Sequence, residues 1–217
     1  GGRAERPVPD QPARPGQRGQ DVVGIALAVA AASRLPLFPL HGWIREALAE
    51  AAPGVAVVVA GSVARLGGYL LVRLLVGAEH DAARLLAPFL AALAGATVVW
   101  AALAAWRAPD LRRMAAYLAL VPGGITVFGL TGLTPLAIDG AVLSIFAGGA
   151  AAALVVGAAA TIGQRAQATS LSVLGGLAPR MPRLTWLWLL GGLGILGMPV
   201  LASYPADLMI FGGSFRH

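Results

Sequence analysis

The sequence contains no cysteine, no lysine and no asparagine in 217 residues, and all 16 of its basic side chains are arginine. Without cysteine, the chain can form neither a disulfide framework nor a thiolate metal site. Without lysine, it has no side-chain amine that could carry a proton, because arginine stays protonated in practically any protein setting. These absences exclude disulfide scaffolds, thiolate metal centres and proton relays built on lysine.

Charge is also scarce, since 12% of the residues are charged while 58% are apolar. A soluble domain carries about 25% charged residues, so this chain has too little charge to cover the surface of a water-soluble globule. The net charge is +6, but the arginines are scattered between apolar runs. They form no basic stripe interleaved with aromatic residues. The composition therefore predicts an integral membrane protein in a lipid bilayer, with no nucleic-acid partner.

Residues 1–20 are rich in proline, glycine and arginine, and we expect them to form a disordered tail. Residues 21–217 form the predicted transmembrane domain, because their apolar runs are long enough to cross a hydrocarbon core of roughly 30 Å. The segment 41–51 is too short and too charged to span, and predicts a short amphipathic helix at the interface. The pattern predicts an all-α membrane protein with about six transmembrane helices, at about 22–40, 53–77, 84–106, 110–130, 135–162 and 184–212.

Three of the predicted spans contain residues that break helices. These residues are Pro36 and Pro39 in the first span, Pro122 in the fourth, and Gly197, Pro199 and Pro205 in the sixth. Backbone groups freed at membrane depth must find partners within the protein or in water. Broken membrane helices are typical of transporter cores, where the ends of half-helices line an ion path. The alternative is ordinary packing of kinked membrane helices.

The arginines in short loops predict the topology. Six spans place the segments 41–51, 107–113 and 163–183 on one side, and these carry seven arginines. The opposite connections, 78–83 and 131–134, carry none. Because arginine-rich short loops face the cytoplasm, we expect both termini outside the cytoplasm. We expect the membrane to be the bacterial cytoplasmic membrane.

Ionisable residues inside the predicted spans are the candidate functional residues, because each costs at least about 2.5 kcal/mol at the bilayer centre. The candidates for an ion or proton pathway are Arg34, Arg65 and Asp207 within the spans, Asp139 near the start of the fifth span, and His41 at the interface. Arginine can serve only as a fixed positive charge here, whereas Asp207 can titrate. The alternative is that these charges form buried ion pairs that only orient helices. The chain carries no nucleotide-binding or metal-ligand motif, so we expect it to bind no metal and no cofactor.

The stretch RLPLFPLHGWIREALAEAAPGVAVVVAGSVARLGGYLLVRL, from Arg34 to Leu74, carries an ordered set of family residues. They are Pro36, Pro39, His41, Trp43, Ala47, Glu50, Ala51, Ala60, Gly61, Gly67 and Tyr69. This stretch resembles the antiporter-like membrane subunits of respiratory complex I, closest to the M-type. Weaker matches follow, so that the resemblance covers about residues 22–215. It corresponds to the second half of such a subunit, and we therefore expect a fragment or a reduced paralogue.

The resemblance implies that two buried lysines of the family fall at Arg34 and Arg65, and that two membrane histidines fall at Pro122 and Gly148. Asp207 falls at the family's acidic position in the sixth span. The resemblance thus implies a membrane subunit of an NADH-quinone oxidoreductase that contributes to proton translocation, with other membrane subunits as partners and redox chemistry outside this chain. Two alternatives stay open. One is a degenerate scaffold that moves no ions, and the other is a subunit of a multisubunit sodium/proton antiporter or a membrane hydrogenase.

Overall fold

The computed structural model describes residues 30, 34, 35, 37, 38, 40–77 and 80–215. The predicted tail, most of the first predicted span, and both Pro36 and Pro39 lie outside these described residues. Across the described part the chain is helical, and its only extended pairing is an isolated antiparallel bridge between Asp110 and Ser170.

Helix α1 (Gly42–Glu50) is the short amphipathic helix expected before the second span. Its apolar residues Ile44 and Leu48 are buried, while Glu46 and Glu50 are exposed. The helix ends before Pro53, because a proline disfavours helical backbone angles in the residue that precedes it. Helix α1 therefore lies as a separate element ahead of the long membrane helices.

The second predicted span is a composite helix rather than one regular helix. Helix α2 (Pro53–Val58) continues into a π-helical turn at Val59–Val63, which is followed by α3 (Ala64–Gly77). A single π-turn inside an α-helix is rare and occurs frequently at functional sites. Arg65 is the second residue after this turn, so the turn sets the direction in which its side chain leaves the helix.

The next three predicted spans follow in chain order. Helix α4 (His80–Trp106) is followed by α5 (Leu111–Leu118) and α6 (Val121–Thr131), and then by α7 (Pro135–Ala166). The Thr134 hydroxyl accepts a hydrogen bond from the Ala137 N–H at 3.3 Å and so caps the start of α7. Pro122 lies at the second position of α6, where its missing N–H costs no helical hydrogen bond.

The sixth predicted span consists of two shorter helices. A one-turn helix α8 (Leu177–Arg180) precedes α9 (Pro182–Ile195), and α10 (Ser203–Ser214) follows after an irregular connection. That connection contains Pro199 and Gly197, and the Gly197 φ of 66° is a left-handed value that favours glycine. Pro205 lies at the third position of α10. The sixth predicted span is therefore not one continuous helix.

Helix α7 lies at the centre of the bundle and packs against α2, α3, α5, α6, α9 and α10. Small residues permit this close approach, as is usual where membrane helices cross. A Cβ added at Gly140 would lie 2.8 Å from the backbone nitrogen of Ile210 and 2.9 Å from the carbonyl oxygen of Ala206. The contact between α7 and α10 thus depends on the absence of a side chain at position 140.

Among the described residues, four helical stretches are long and apolar enough to cross a membrane: Pro53–Arg73, Leu86–Trp106, Leu111–Thr131 and Pro135–Ala166. Large apolar side chains such as Phe89, Leu103, Phe146 and Trp186 are exposed on the outside of the bundle. Exposed apolar residues in this number are typical of helices surrounded by lipid tails rather than by water. The chain is an integral membrane protein.

Replacement of Gly140 by alanine tests the packing of α7 against α10. We expect Gly140→Ala to lower the free energy of unfolding by about 1–3 kcal/mol, because the new methyl group would overlap the backbone of α10. Gly212→Ala is the matched control, since a Cβ there meets no atom within 4 Å. The control should be neutral or more stable by up to about 1 kcal/mol. Thermal unfolding of the purified assembly checks both variants, and equal effects would contradict this packing.

Candidate charged site within the membrane helices

Arg65 is the most deeply buried charged residue in the described part of the chain, with only 5% of its surface exposed. Its Nη2 atom donates to the carbonyl oxygen of Ala119 at 3.3 Å and to that of Gly148 at 3.2 Å. The guanidinium thus bridges the junction of α5 and α6 on one side and the middle of α7 on the other. Its Nε atom is buried without a hydrogen-bond partner among the described atoms.

Glycines make room for the Arg65 side chain. A Cβ added at Gly149 would lie 3.3 Å from Arg65 Cγ and 2.9 Å from the carbonyl oxygen of Gly61. A Cβ added at Gly123 would lie 3.7 Å from Arg65 Nη1. At Gly148 a Cβ would lie only 2.6 Å from the Cβ of Pro122, so these two positions face each other. We call Gly123, Gly148 and Gly149 the glycine cradle of Arg65.

Backbone dipoles rather than a carboxylate hold the charge of Arg65. The salt bridges in the described part of the chain are Arg45–Glu46 and Arg113–Asp110, and neither includes Arg65. Ala119 is the C-cap residue of α5, and the carbonyls at the C-terminal end of a helix carry partial negative charge. The sequence left open an ion pair that only orients helices, but no such pair forms at Arg65 among the described residues.

A pair of buried hydroxyl groups lies one helical turn from the cradle. The Thr126 hydroxyl lies 3.1 Å from that of Ser144 and donates to the carbonyl oxygen of Pro122 at 2.8 Å. Both residues are buried between α6 and α7. A hydroxyl can both donate and accept a hydrogen bond, so Ser144, Thr126 and the Pro122 carbonyl form a short hydrogen-bonded chain. We call Arg65, its two carbonyl partners and this hydroxyl pair the polar track.

Asp207 lies on α10 against the break in the sixth span. It is half-buried, and its Oδ2 atom approaches the backbone at Gly197 so closely that a Cβ there would overlap it. Gly197 therefore permits both the left-handed turn and the approach of the carboxylate. Asp207 and Arg65 do not form an ion pair in the described structure.

His41 lies in an aromatic cluster at the start of α1. Its ring centroid is 4.1 Å from that of Trp100 and 5.8 Å from that of Phe38. Tyr117 contacts Trp100 edge to face at 5.4 Å, and the Tyr117 hydroxyl accepts a hydrogen bond from Arg45 at 3.3 Å. The cluster thereby joins α1, α4 and α5, and it buries His41.

The remaining predicted residues lie apart from the polar track. Arg34 is exposed, and so are Asp139 in the first turns of α7, Trp43, and Glu50 at the end of α1. The structure therefore brings together Arg65, Pro122 and Gly148, and it leaves Arg34 and Asp139 outside that group.

Sequence patterns did not indicate that the backbone carbonyls of Ala119 and Gly148 bind Arg65. Two signals pointed toward the region without identifying it. Gly-Gly pairs occur at 123–124 and 148–149, within apolar helices. A threonine and a serine also occur inside these helices, at positions 126 and 144.

Most of the chain is similar to known proteins. The sequence profile of a family described as "NADH:quinone oxidoreductase/Mrp antiporter, TM" matches residues 12–217. An NAD(P)H-quinone oxidoreductase chain 4 from Synechococcus sp. is 35% identical over 188 residues, which are 87% of this chain and 36% of that relative. The chain thus spans about a third of the length of this relative.

Two solved structures share the fold, each with a TM-score of 0.82. One is a chain of respiratory complex I from Thermus thermophilus with bound NADH, with 24% identity over 89% of this chain and 42% of that one. The other is a chain of the Mrp complex from Dietzia sp. DQ12-45-1b, with 19% identity over 88% of this chain and 36% of that one. These superpositions confirm the predicted all-α membrane fold.

The surroundings of His41 predict a pH dependence of stability. Burial, and then the positive charge of Arg45, lower the pKa of His41 below its ordinary value of 6.5. The unfolded chain therefore takes up this proton more readily, and protonation favours unfolding. We expect stability to be complete above about pH 6.5 and to fall as the pH drops below that value.

Thermal unfolding of the purified assembly between about pH 5 and 8 measures this dependence. In the His41→Phe variant, which keeps an aromatic ring against Trp100, the acid-induced loss of stability should become smaller. An equally steep loss in the variant would contradict the assignment to His41.

Proposed function

Because the chain belongs to the NADH:quinone oxidoreductase/Mrp antiporter transmembrane family, we propose that it is a membrane subunit of a complex I-like NADH-quinone oxidoreductase assembly. In that role it contributes to proton translocation, which is coupled to electron transfer in other subunits. The observation that carries the proposal is the polar track, since polar groups at membrane depth are costly and mark ion or proton paths. The chain itself would hold no redox cofactor.

Arg65 supplies a fixed positive charge in this proposal, not a transferable proton. Its guanidinium stays protonated, and two backbone carbonyls hold it between α6 and α7. A fixed charge stabilises negative groups and repels protons that move nearby, and with few mobile charges in the membrane this field is weakly screened. Arg65 thus changes the electrostatic energy of a proton along the path, but it does not itself release a proton.

Two sets of groups that can exchange protons occur in addition to that charge. Thr126 and Ser144 form the buried hydroxyl pair next to the cradle. Asp207 offers a titratable carboxylate at the broken sixth span, where the ends of half-helices expose backbone dipoles. These groups support a path in which hydroxyls and a carboxylate pass the proton while Arg65 sets the local potential.

The placement of the arginine-rich segments supports the proposed topology. The Leu111 N–H donates to the Thr169 carbonyl at 2.9 Å, and the Leu171 N–H donates to the Pro109 carbonyl at 3.0 Å. Arg112 in turn donates to the carbonyl oxygen of Ala51. The three arginine-bearing segments therefore meet at one end of the bundle. We propose that this end faces the cytoplasm of a bacterial cell, with both termini outside.

Two other functions remain in competition with this proposal. The absence of a titratable group at position 65 favours a scaffold subunit that moves no ions. The superposition on the Mrp complex favours an antiporter assembly to the same degree as complex I, because both TM-scores are 0.82. The native assembly can be purified and its other subunits identified. Redox subunits would indicate a complex I-like assembly, and antiporter subunits would indicate an antiporter.

Replacement of Arg65 distinguishes a pump from a scaffold. We expect Arg65→Met to reduce NADH-driven proton uptake into inverted membrane vesicles by at least about tenfold, or about 1.4 kcal/mol. NADH oxidation and subunit content are measured in the same vesicles. Arg107→Gln serves as the control, because Arg107 is exposed in a connection between helices. Unchanged proton uptake in Arg65→Met, with assembly intact, would support the scaffold.

Replacement of Asp207 tests the titratable end of the path. Asp207→Asn keeps the size of the side chain but removes its ability to bind and release a proton. We expect proton uptake to fall by at least about 100-fold, as expected for the loss of an acid–base group. Glu46→Gln should leave uptake unchanged, since Glu46 is exposed on α1. Full translocation by Asp207→Asn would rule out this role.

A further inference from the structure

An apolar groove lies on the outer surface of the bundle between α2, α7 and α9, with a volume of about 440 Å³. Its walls include Gly54 and Val57 of α2, Ala153 and Thr161 of α7, and Leu184 and Leu187 of α9. The one side-chain hydroxyl in the lining belongs to Thr161, and it already donates to the Gly157 carbonyl at 2.7 Å. The lining therefore offers an aliphatic ligand a surface without unsatisfied side-chain polar groups.

Arginines lie where the groove reaches the end of the bundle. Arg165 is one helical turn beyond Thr161 on α7, and positions four residues apart share a helix face. Arg183 directly precedes Leu184 on α9, and Arg180 ends the short helix before it. All three arginines are exposed, and none takes part in the salt bridges found in the described part of the chain. This end of the groove is therefore positively charged.

We propose that the groove binds one anionic phospholipid, with an acyl chain along α7 and the phosphate between Arg165 and Arg183. The groove extends from Thr161 to Ala153, which is about 12 Å along the helix axis. An apolar chain on one side and a cluster of cations at the membrane surface are the two features that such a lipid matches. The lipid would join α2, α7 and α9 at the end where the arginine-rich connections meet.

The positive charge at the end of the groove favours a phospholipid over an apolar helix of a partner subunit. A single acyl chain is much thinner and can follow the floor formed by Ala153 and Gly157. The charge at the end of the groove is also suited to a phosphate, because arginine binds phosphate oxygens through two parallel N–H groups.

Photo-crosslinking of lipid to the purified native assembly tests the proposal. The probes are phosphatidylglycerol and phosphatidylcholine, each with a diazirine group in its acyl chain. Labelled peptides are compared with those of the exposed face of α4, which any surrounding lipid reaches. We expect phosphatidylglycerol to label the segments 153–161 and 184–187 several times more strongly than phosphatidylcholine does, and to label α4 equally.

A variant that fills the groove shows whether the labelling comes from lipid bound in the groove. Gly54→Leu places a side chain into the groove, because a Cβ at Gly54 meets no atom within 4 Å. Labelling of the groove by phosphatidylglycerol should fall several-fold in this variant. Gly95→Leu is the matched control, since Gly95 on α4 is equally open and lies away from the groove. Equal labelling of the groove in both variants would overturn the proposal.

A second pair of variants tests the charge. Replacement of both Arg165 and Arg183 by glutamine should abolish the preference for phosphatidylglycerol. The labelling by phosphatidylcholine should stay unchanged. Arg107→Gln at the same end of the bundle should keep the preference. A preference that survives the double substitution would overturn the assigned phosphate position. Absence of lipid labels together with crosslinks to another subunit would instead show that a partner helix covers the groove.

Discussion

A buried guanidinium that no described carboxylate neutralises constrains the packing around it. Arg65 must find hydrogen-bond acceptors inside the membrane, and it finds them in the carbonyls of Ala119 and Gly148. Gly148 supplies one of these carbonyls, and the glycine at position 149 leaves room for the arginine, because a Cβ there would lie 3.3 Å from Arg65 Cγ. The junction between α5 and α6 and the middle of α7 are therefore shaped by one charge.

Two departures from the family pattern that the resemblance implied lie next to each other in the structure. A Cβ at position 148 would lie 2.6 Å from the Cβ of Pro122, so these two positions face each other. A larger side chain at position 148 would therefore collide with Pro122. A fixed charge in a glycine cradle differs physically from a titratable amine that can release its proton.

Much of the helical architecture could be predicted from the sequence, because the length of an apolar run is a property of a single segment. The resemblance drawn from Arg34 to Leu74 is confirmed by the family match. The site was harder to predict from the sequence, because backbone carbonyls bind Arg65. Every residue has such a carbonyl, so the side-chain types do not indicate which ones bind. Arg34 and Arg65 looked alike in the sequence, yet one is exposed and the other buried. The difference depends on how each arginine's helix is placed in the bundle, which the apolar pattern does not encode.

Arg65 is a permanently charged residue that is bound by the carbonyl of Gly148. Solid-state NMR of the assembly in lipid bilayers, with ¹⁵N-labelled arginine and ¹³C-carbonyl-labelled glycine, measures both the contact and the charge. We expect a dipolar coupling between an arginine Nη and a glycine carbonyl that is absent in Arg65→Met. We also expect the ¹⁵N shift of this guanidinium to stay constant between about pH 6 and 9. A missing coupling, or a shift that titrates in this range, would contradict this assignment.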